Sequence, residues 1–246
     1  MGERPRATGR RAPTQGGGRR VTGQQARTTA ERTGAAPERP GAQEWVPSDG
    51  DVDALRSAVH ACRGCELWAP ATQPVFSAGP DPAALMLVGE QPGDVEDRDG
   101  EPFVGPAGRL LDEALGAAGV DRSGVYLTNA VKHFRFEERG ARRLHKKPGV
   151  AHVEACRPWL AAELARVAPG VVVCLGATAA RAVIGHDVRV TEVRGTVVGE
   201  TGDGVPVLVT AHPSAVLRLR GKEGYRAALD GLVEDLRRAA ALLRPA

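Results

Sequence analysis

Val171-Val172-Val173-Cys174-Leu175 is followed, after Gly176, by the helix-forming stretch Ala177–Ile184. A short unbroken apolar run reads as a strand covered on both faces, and a helix directly behind it reads as half of a crossover unit. The same alternation extends outward. Upstream lie Ala84–Gly89 (ALMLVG) and Val125–Ala130 (VYLTNA), two more buried strands. Between and around them are helices: Val52–Ala61, Ala107–Ala118 with a stripe of Leu110, Leu111, Ala114 and Leu115, and Val153–Val167 with Val153, Cys156, Leu160, Leu164 and Val167 at helical spacing. Downstream, Thr191–Glu200 reads as an extra strand, Val205–Thr210 as a further buried strand, and Gly224–Leu243 as the closing helix. Strands alternating with helices of this length predict a three-layer α/β fold, a central mostly parallel sheet flanked by helices, over residues 45–246.

Residues 1–44 have a different composition. They are rich in Gly, Pro, Arg, Thr and Gln and hold nine Arg against four Glu, a net +5. Such a stretch buries too little apolar surface to offset its ordering entropy and is expected to be a disordered tail. The whole chain carries +3, so the body is left with −2 and must gather its cations locally to hold a polyanion. No apolar run approaches membrane-spanning length and no signal peptide is visible, so a cytoplasmic, nucleoid-associated monomer is expected. Cys62 and Cys65 stand as C-x-x-C, and with Cys156 and Cys174 they suit a metal or redox role in a reduced compartment better than disulfides.

In sheets of this kind, ligands bind beyond the carboxyl ends of the strands. Polar clusters sit at those ends: Glu90–Gly93, Asn129–His133 and His212–Leu217. None contains the G-K-[ST] ending of a phosphate-binding loop.

The sequence of these clusters carries a resemblance. Gly89-Glu90-Gln91-Pro92-Gly93, then Pro102-Phe103 with Gly105-Pro106-Ala107-Gly108, then Asn129-Ala130-Val131-Lys132, and finally His212-Pro213-Ser214-Ala215-Val216-Leu217-Arg218 resemble, in order and spacing, the motifs of the family 4 uracil-DNA glycosylases over residues 50–240. Arg142-Arg143-Leu144-His145-Lys146-Lys147-Pro148 resembles the basic loop of the UdgX branch. Where that loop usually opens with Lys this chain has Ala141, and it has Leu144 where Ile is common. The segment Phe136–Gly140 leading into it is also shorter than usual.

The resemblance implies a protein that takes uracil from DNA, preferably single-stranded, and becomes bonded to the sugar through His145. Phe103 offers a stacking face, and the Asn129 amide suits the carbonyl and imide edge of uracil but not the reversed pattern of cytosine. His212 would hydrogen-bond the departing base as a preorganised donor, and Glu90 would favour the cationic sugar or orient a water. Gln91 would contact the base or the loop, and Asp94 and Asp97 would fix the loop by pairing. Arg142, Arg143, Lys146, Lys147, Ser214 and Arg218 would meet DNA. The four loop cations would also disfavour protonation of His145, leaving its lone pair free. On its own, the R-R-L-H-K-K run reads as a solvated face or phosphate patch.

The family holds a [4Fe–4S] cluster with four cysteines. Cys62, Cys65 and Cys156 match three of those positions, and His133 falls on the fourth, where imidazole replaces thiolate as in Rieske centres. Cys174 competes for that place, although its strand setting suits simple core packing. Two other functions stay open: a conventional glycosylase that turns over, and a non-catalytic iron–sulfur DNA-binding module.

Overall fold

The computed structural model describes residues 39–243. In chain order the main elements are α1 (Val52–Ala58), β1 (Ser77–Ala78), β2 (Leu85–Gly89), α2 (Asp94–Asp99), α3 (Pro106–Ala118), β3 (Val125–Asn129), β4 (Phe136–Arg139), β5 (Arg142–His145), α4 (Val150–Val167), β6 (Val171–Leu175), α5 (Ala177–Ile184), α6 (Val190–Val193), β7 (Val197–Glu200), β8 (Pro206–Thr210), α7 (Pro213–Leu217) and α8 (Tyr225–Ala241). The sheet has the order β1-β3-β2-β6-β8-β7. Its four central strands run parallel, and the short edge strands β1 and β7 run antiparallel to their neighbours.

Successive side chains of a strand point to opposite faces, so each apolar run feeds two cores. Met86, Val88, Val172 and Cys174 pack with α1, α4 and α5. Leu85, Leu87, Val171, Val173 and Leu175 pack with α3, α7 and α8. This is why the runs are continuous rather than alternating, and it yields the expected three layers. Among the described residues no helix is long and apolar enough to cross a membrane.

The chain leaves β2 for β3 on one side and returns through α4 to β6 on the other. The crevice at this reversal opens at the carboxyl ends, between Glu90 and Gly176, where an open α/β sheet receives ligands.

Three expectations are corrected. Residues 1–38 of the expected tail lie outside the described residues, but the segment from Arg39 to Glu44 is packed on the body. Ala42 is fully buried, its N–H bonds Ala155 O at 2.8 Å, and Arg39 pairs with Glu66. The extra strand is only Val197–Glu200, because the chain before it forms α6 and Arg194 turns to Asp235 on α8 at 2.8 Å. The basic stretch is not a loop: β4 and β5 form a two-stranded hairpin that pairs Phe136 with His145 and Glu138 with Arg143.

Candidate active site

The carboxyl ends of β2, β3 and β8 and the foot of the hairpin line one cavity of about 340 Å³. Its walls include Gln91, Phe103, Asn129, His145, His212 and Arg218. An adjoining cavity adds Glu90, Lys147 and Thr178. The sheet register sets the base of the site, since Gly89 and Asn129 are partners across β2 and β3. A side chain at Gly89 would put its Cβ 2.3 Å from Asn129 Oδ1 and 2.7 Å from Phe103 Cζ, so this position must be glycine for the amide and the ring to meet. Phe103 takes a left-handed backbone (φ 59°) and stacks on the His212 ring with centroids 6.4 Å apart.

His212 is the N-cap of α7. Its Nδ1 accepts the Ser214 N–H at 3.1 Å, which leaves the proton of a neutral ring on Nε2. Burial, with His145 and Arg218 adding to it, pushes its pKa down to about 4, so the neutral ring is the form present near pH 7. Ser214 Oγ lies 2.8 Å from the same Nδ1.

His145, the last residue of β5, has its Nε2 3.7 Å from Glu90 Oε1. Burial holds its pKa below the ordinary histidine value, opposed by Glu90 and assisted by Arg218. The expected cause, the cations of its own stretch, is therefore replaced by desolvation and one cation from α7's end. Glu90 also accepts a hydrogen bond from Thr178 Oγ1 at the start of α5.

The hairpin is held from beneath. Arg143 shares the inward side of β5 with His145 and pairs with Asp94 at 2.5 Å and with Asp97 at 2.6 Å. Its guanidinium also lies 4.9 Å from the Phe136 ring centroid. Asp97 is wholly buried and accepts the Thr72 N–H as well. Gln91 stitches the two ends of the hairpin together: its Nε2 donates to Arg135 O at 3.2 Å and Lys146 O at 3.1 Å, and its Oε1 accepts the Arg135 N–H at 3.1 Å. Of the expected DNA-facing cations, Arg143 is thus turned inward and Lys146 is paired with Glu137. Arg142 is exposed, while Lys147 and Arg218 line the joined cavities. Asp94 and Asp97 meet the hairpin and are not among the residues lining the cavity.

Two further side chains that line the cavities, Thr178 and Glu96, lie outside the motifs named above. Thr178 gave no motif. Glu96 had one usable sign, its place three residues after Gly93, the spacing of a side chain reaching back to a helix's first N–H.

Cys62, Cys65, Cys156 and His133 line a second, smaller cavity with Lys132 and Trp159. Trp159 Nε1 donates to Cys62 Sγ and the Lys132 N–H donates to Cys156 Sγ, both at 3.3 Å. Burial pushes the Cys65 thiol up to about 11 and Cys156 to about 12, and lowers His133 to about 4. Cys174 is enclosed within β6 and is not among this cavity's lining residues. Among the described residues, no group of three or more His, Cys, Asp or Glu side chains is disposed to hold a single metal ion.

Residues 76–237 match the family model of the uracil DNA glycosylase superfamily. The chain is 36% identical over 172 residues to a type-4 uracil-DNA glycosylase of Archaeoglobus fulgidus, covering 68% of this chain and 83% of the relative. It is 35% identical over 194 residues to the type-4 uracil-DNA glycosylase of Thermotoga maritima, covering 78% and 95%. A type-4 uracil-DNA glycosylase of Pyrobaculum aerophilum is 36% identical over 181 residues, covering 70% and 89%.

Proposed function

The chain belongs to the uracil DNA glycosylase superfamily, and from that premise we propose that it removes uracil from DNA and is then bonded to the bared sugar through His145. The observation that carries the second half is the position of His145, on the cavity wall with Phe103, Asn129 and His212 and 3.7 Å from Glu90.

Uracil must leave the base stack first, at a cost of a few kcal/mol that is smallest in single-stranded DNA, the preferred substrate. Phe103 receives the ring, worth about 1–3 kcal/mol by stacking. Asn129 reads the carbonyl and imide edge. As the glycosidic bond breaks, its electron pair goes to uracil N1, and the Nε2–H of His212 stabilises the charge growing on the base oxygen. A neutral donor suits this task because it can donate without being an acid that needs recharging. Glu90, fixed by Thr178, faces the cationic sugar. His145 then gives an imidazole lone pair to C1′. The new bond leaves a positive ring, which loses its other N–H proton to water, and water protonates the uracil anion. In this reading Lys147, Ser214 and Arg218, which line the adjoining cavity, meet the DNA backbone.

Cys62, Cys65, Cys156 and His133 are the residues that would hold a [4Fe–4S] cluster. Their donor chemistry fits, and the N–H groups aimed at two of the sulfurs are the kind of support such sites use. When bound, the cluster would supply a rigid cross-link. His133 and Cys156 bracket the hairpin, so ligation through both would tie its two ends and lower its closure entropy.

A denaturing gel of the protein with a uracil-containing oligonucleotide tests the reading. A heat-stable shifted band that disappears in His145→Ser supports it. Free uracil in molar excess over protein, with no band, favours a conventional glycosylase; no uracil release would leave only DNA binding.

A further inference from the structure

Glu96 touches none of the groups assigned a chemical role above, yet it lines the base cavity and is almost fully buried. It lies on α2, and its carboxylate accepts two backbone N–H groups from separate motifs. Oε2 takes Gly93 at 3.1 Å and Oε1 takes Gly105 at 2.9 Å. A Cβ at Gly93 would stand 2.6 Å from one carboxylate oxygen and a Cβ at Gly105 2.8 Å from the other, so both motifs close directly onto this side chain. Between the two glycines the chain makes α2 and then Phe103, whose left-handed backbone is one that side-chain-bearing residues rarely adopt. A conformation of that kind persists only where its surroundings over-determine it. The bond from Gly105 to Glu96 anchors the chain two residues beyond Phe103.

We propose that Glu96 is a positioning residue for uracil recognition: by joining Gly93 to Gly105 it holds Phe103 against the bound base. The proposal rests on the uracil reading above. An ionised carboxylate can accept both N–H groups at once. A glutamine in its place accepts one and turns an NH₂ toward the other, so Glu96→Gln releases one end of the clamp while nearly preserving volume.

A double-mutant cycle separates this role from plain structural support. Single-turnover uracil release from a single-stranded oligonucleotide is measured for the full chain and for E96Q, F103A and the double variant, with the melting temperature of each. E96Q is expected to slow release by about tenfold, as a lost charge-assisted hydrogen bond would. The double variant should be no slower than F103A by more than about twofold, because Glu96 acts through that ring. Independently, E96Q should bind an oligonucleotide bearing a tetrahydrofuran abasic site as the parent does, since no base remains to be stacked. Multiplying penalties in the cycle, weakened abasic-site binding by E96Q, or unchanged uracil release by E96Q would each overturn the proposal. A parent chain that releases no uracil would instead overturn the uracil reading, and the clamp's role with it.

Discussion

Arg143 Nη1 lies 2.6 Å from Asp97 Oδ2, beneath a hairpin whose neighbouring Arg142 faces solvent. Two residues on, along the same side of β5, His145 reaches Glu90. An ion pair inside the protein thus sets the position of the proposed nucleophile. Among the described residues, removing the guanidinium would leave the buried Asp97 carboxylate with only the Thr72 N–H as partner. Arg143→Ala should therefore cost about 3 kcal/mol of stability, measured by chemical denaturation, and slow adduct formation.

The inward turn of Arg143 also separates it from the cations proposed to meet DNA. Arg218→Ala should reduce the slope of log affinity against log salt concentration by about 1, the signature of one lost phosphate contact. Arg143→Ala should weaken trapping with the slope unchanged. Equal slopes for the parent and the Arg218 variant would remove Arg218 from the DNA contacts.

Burial lowers the pKa of His145, and Glu90 works against it. An NMR titration of the free protein should place the His145 midpoint below the ordinary value of about 6.5. Glu90→Gln removes the opposing charge and should move it lower still. Between the lowered folded midpoint and the ordinary unfolded one, the unfolded chain takes up a proton that the folded ring refuses. The stability associated with neutral His145 is therefore present at higher pH and falls as pH drops through the unfolded midpoint. A midpoint above 7 would mean that the ring lacks a free lone pair at neutral pH.

Gly89→Ala tests the geometry of the recognition pocket. The added methyl would stand 2.3 Å from Asn129 Oδ1 and 2.7 Å from the Phe103 ring, so one or both must move. A displacement near 1 Å in a catalytic site costs on the order of a hundredfold in rate, and single-turnover uracil release should fall by about that factor.

His133→Cys should retain the visible absorption of an iron–sulfur cluster and lower its reduction potential, since a thiolate is a stronger electron donor than imidazole. His133→Ala should lose iron or bind it less tightly, by iron and sulfide analysis. If Cys174→Ser removes the cluster while His133→Ala does not, the ligand assignment is reversed.

The central strands were legible because VVVCL, LMLVG and VYLTN are short runs buried on both faces, and LMLVG and VYLTN lead into polar clusters. The hairpin was not. Arg142–His145 shows no hydrophobic alternation, and what supports it comes from distant residues: the acids of α2 and the Gln91 amide. Six-residue α2 carries no apolar stripe and closes through Glu96, so periodicity passes over it. Glu90, Phe103, Asn129, His145 and His212 were nameable individually from motifs. That Thr178 braces Glu90 depends on β6 lying beside β2, a pairing set by topology alone.

Capture of the sugar by His145 is open to a direct assay. Protein and uracil-containing oligonucleotide are mixed at equal concentration, digested and mapped by mass spectrometry. A sugar-bearing fragment attached at His145, with one uracil released per protein, is the predicted result. Repeated uracil release from a chain whose residue 142–148 peptide stays unmodified would contradict it.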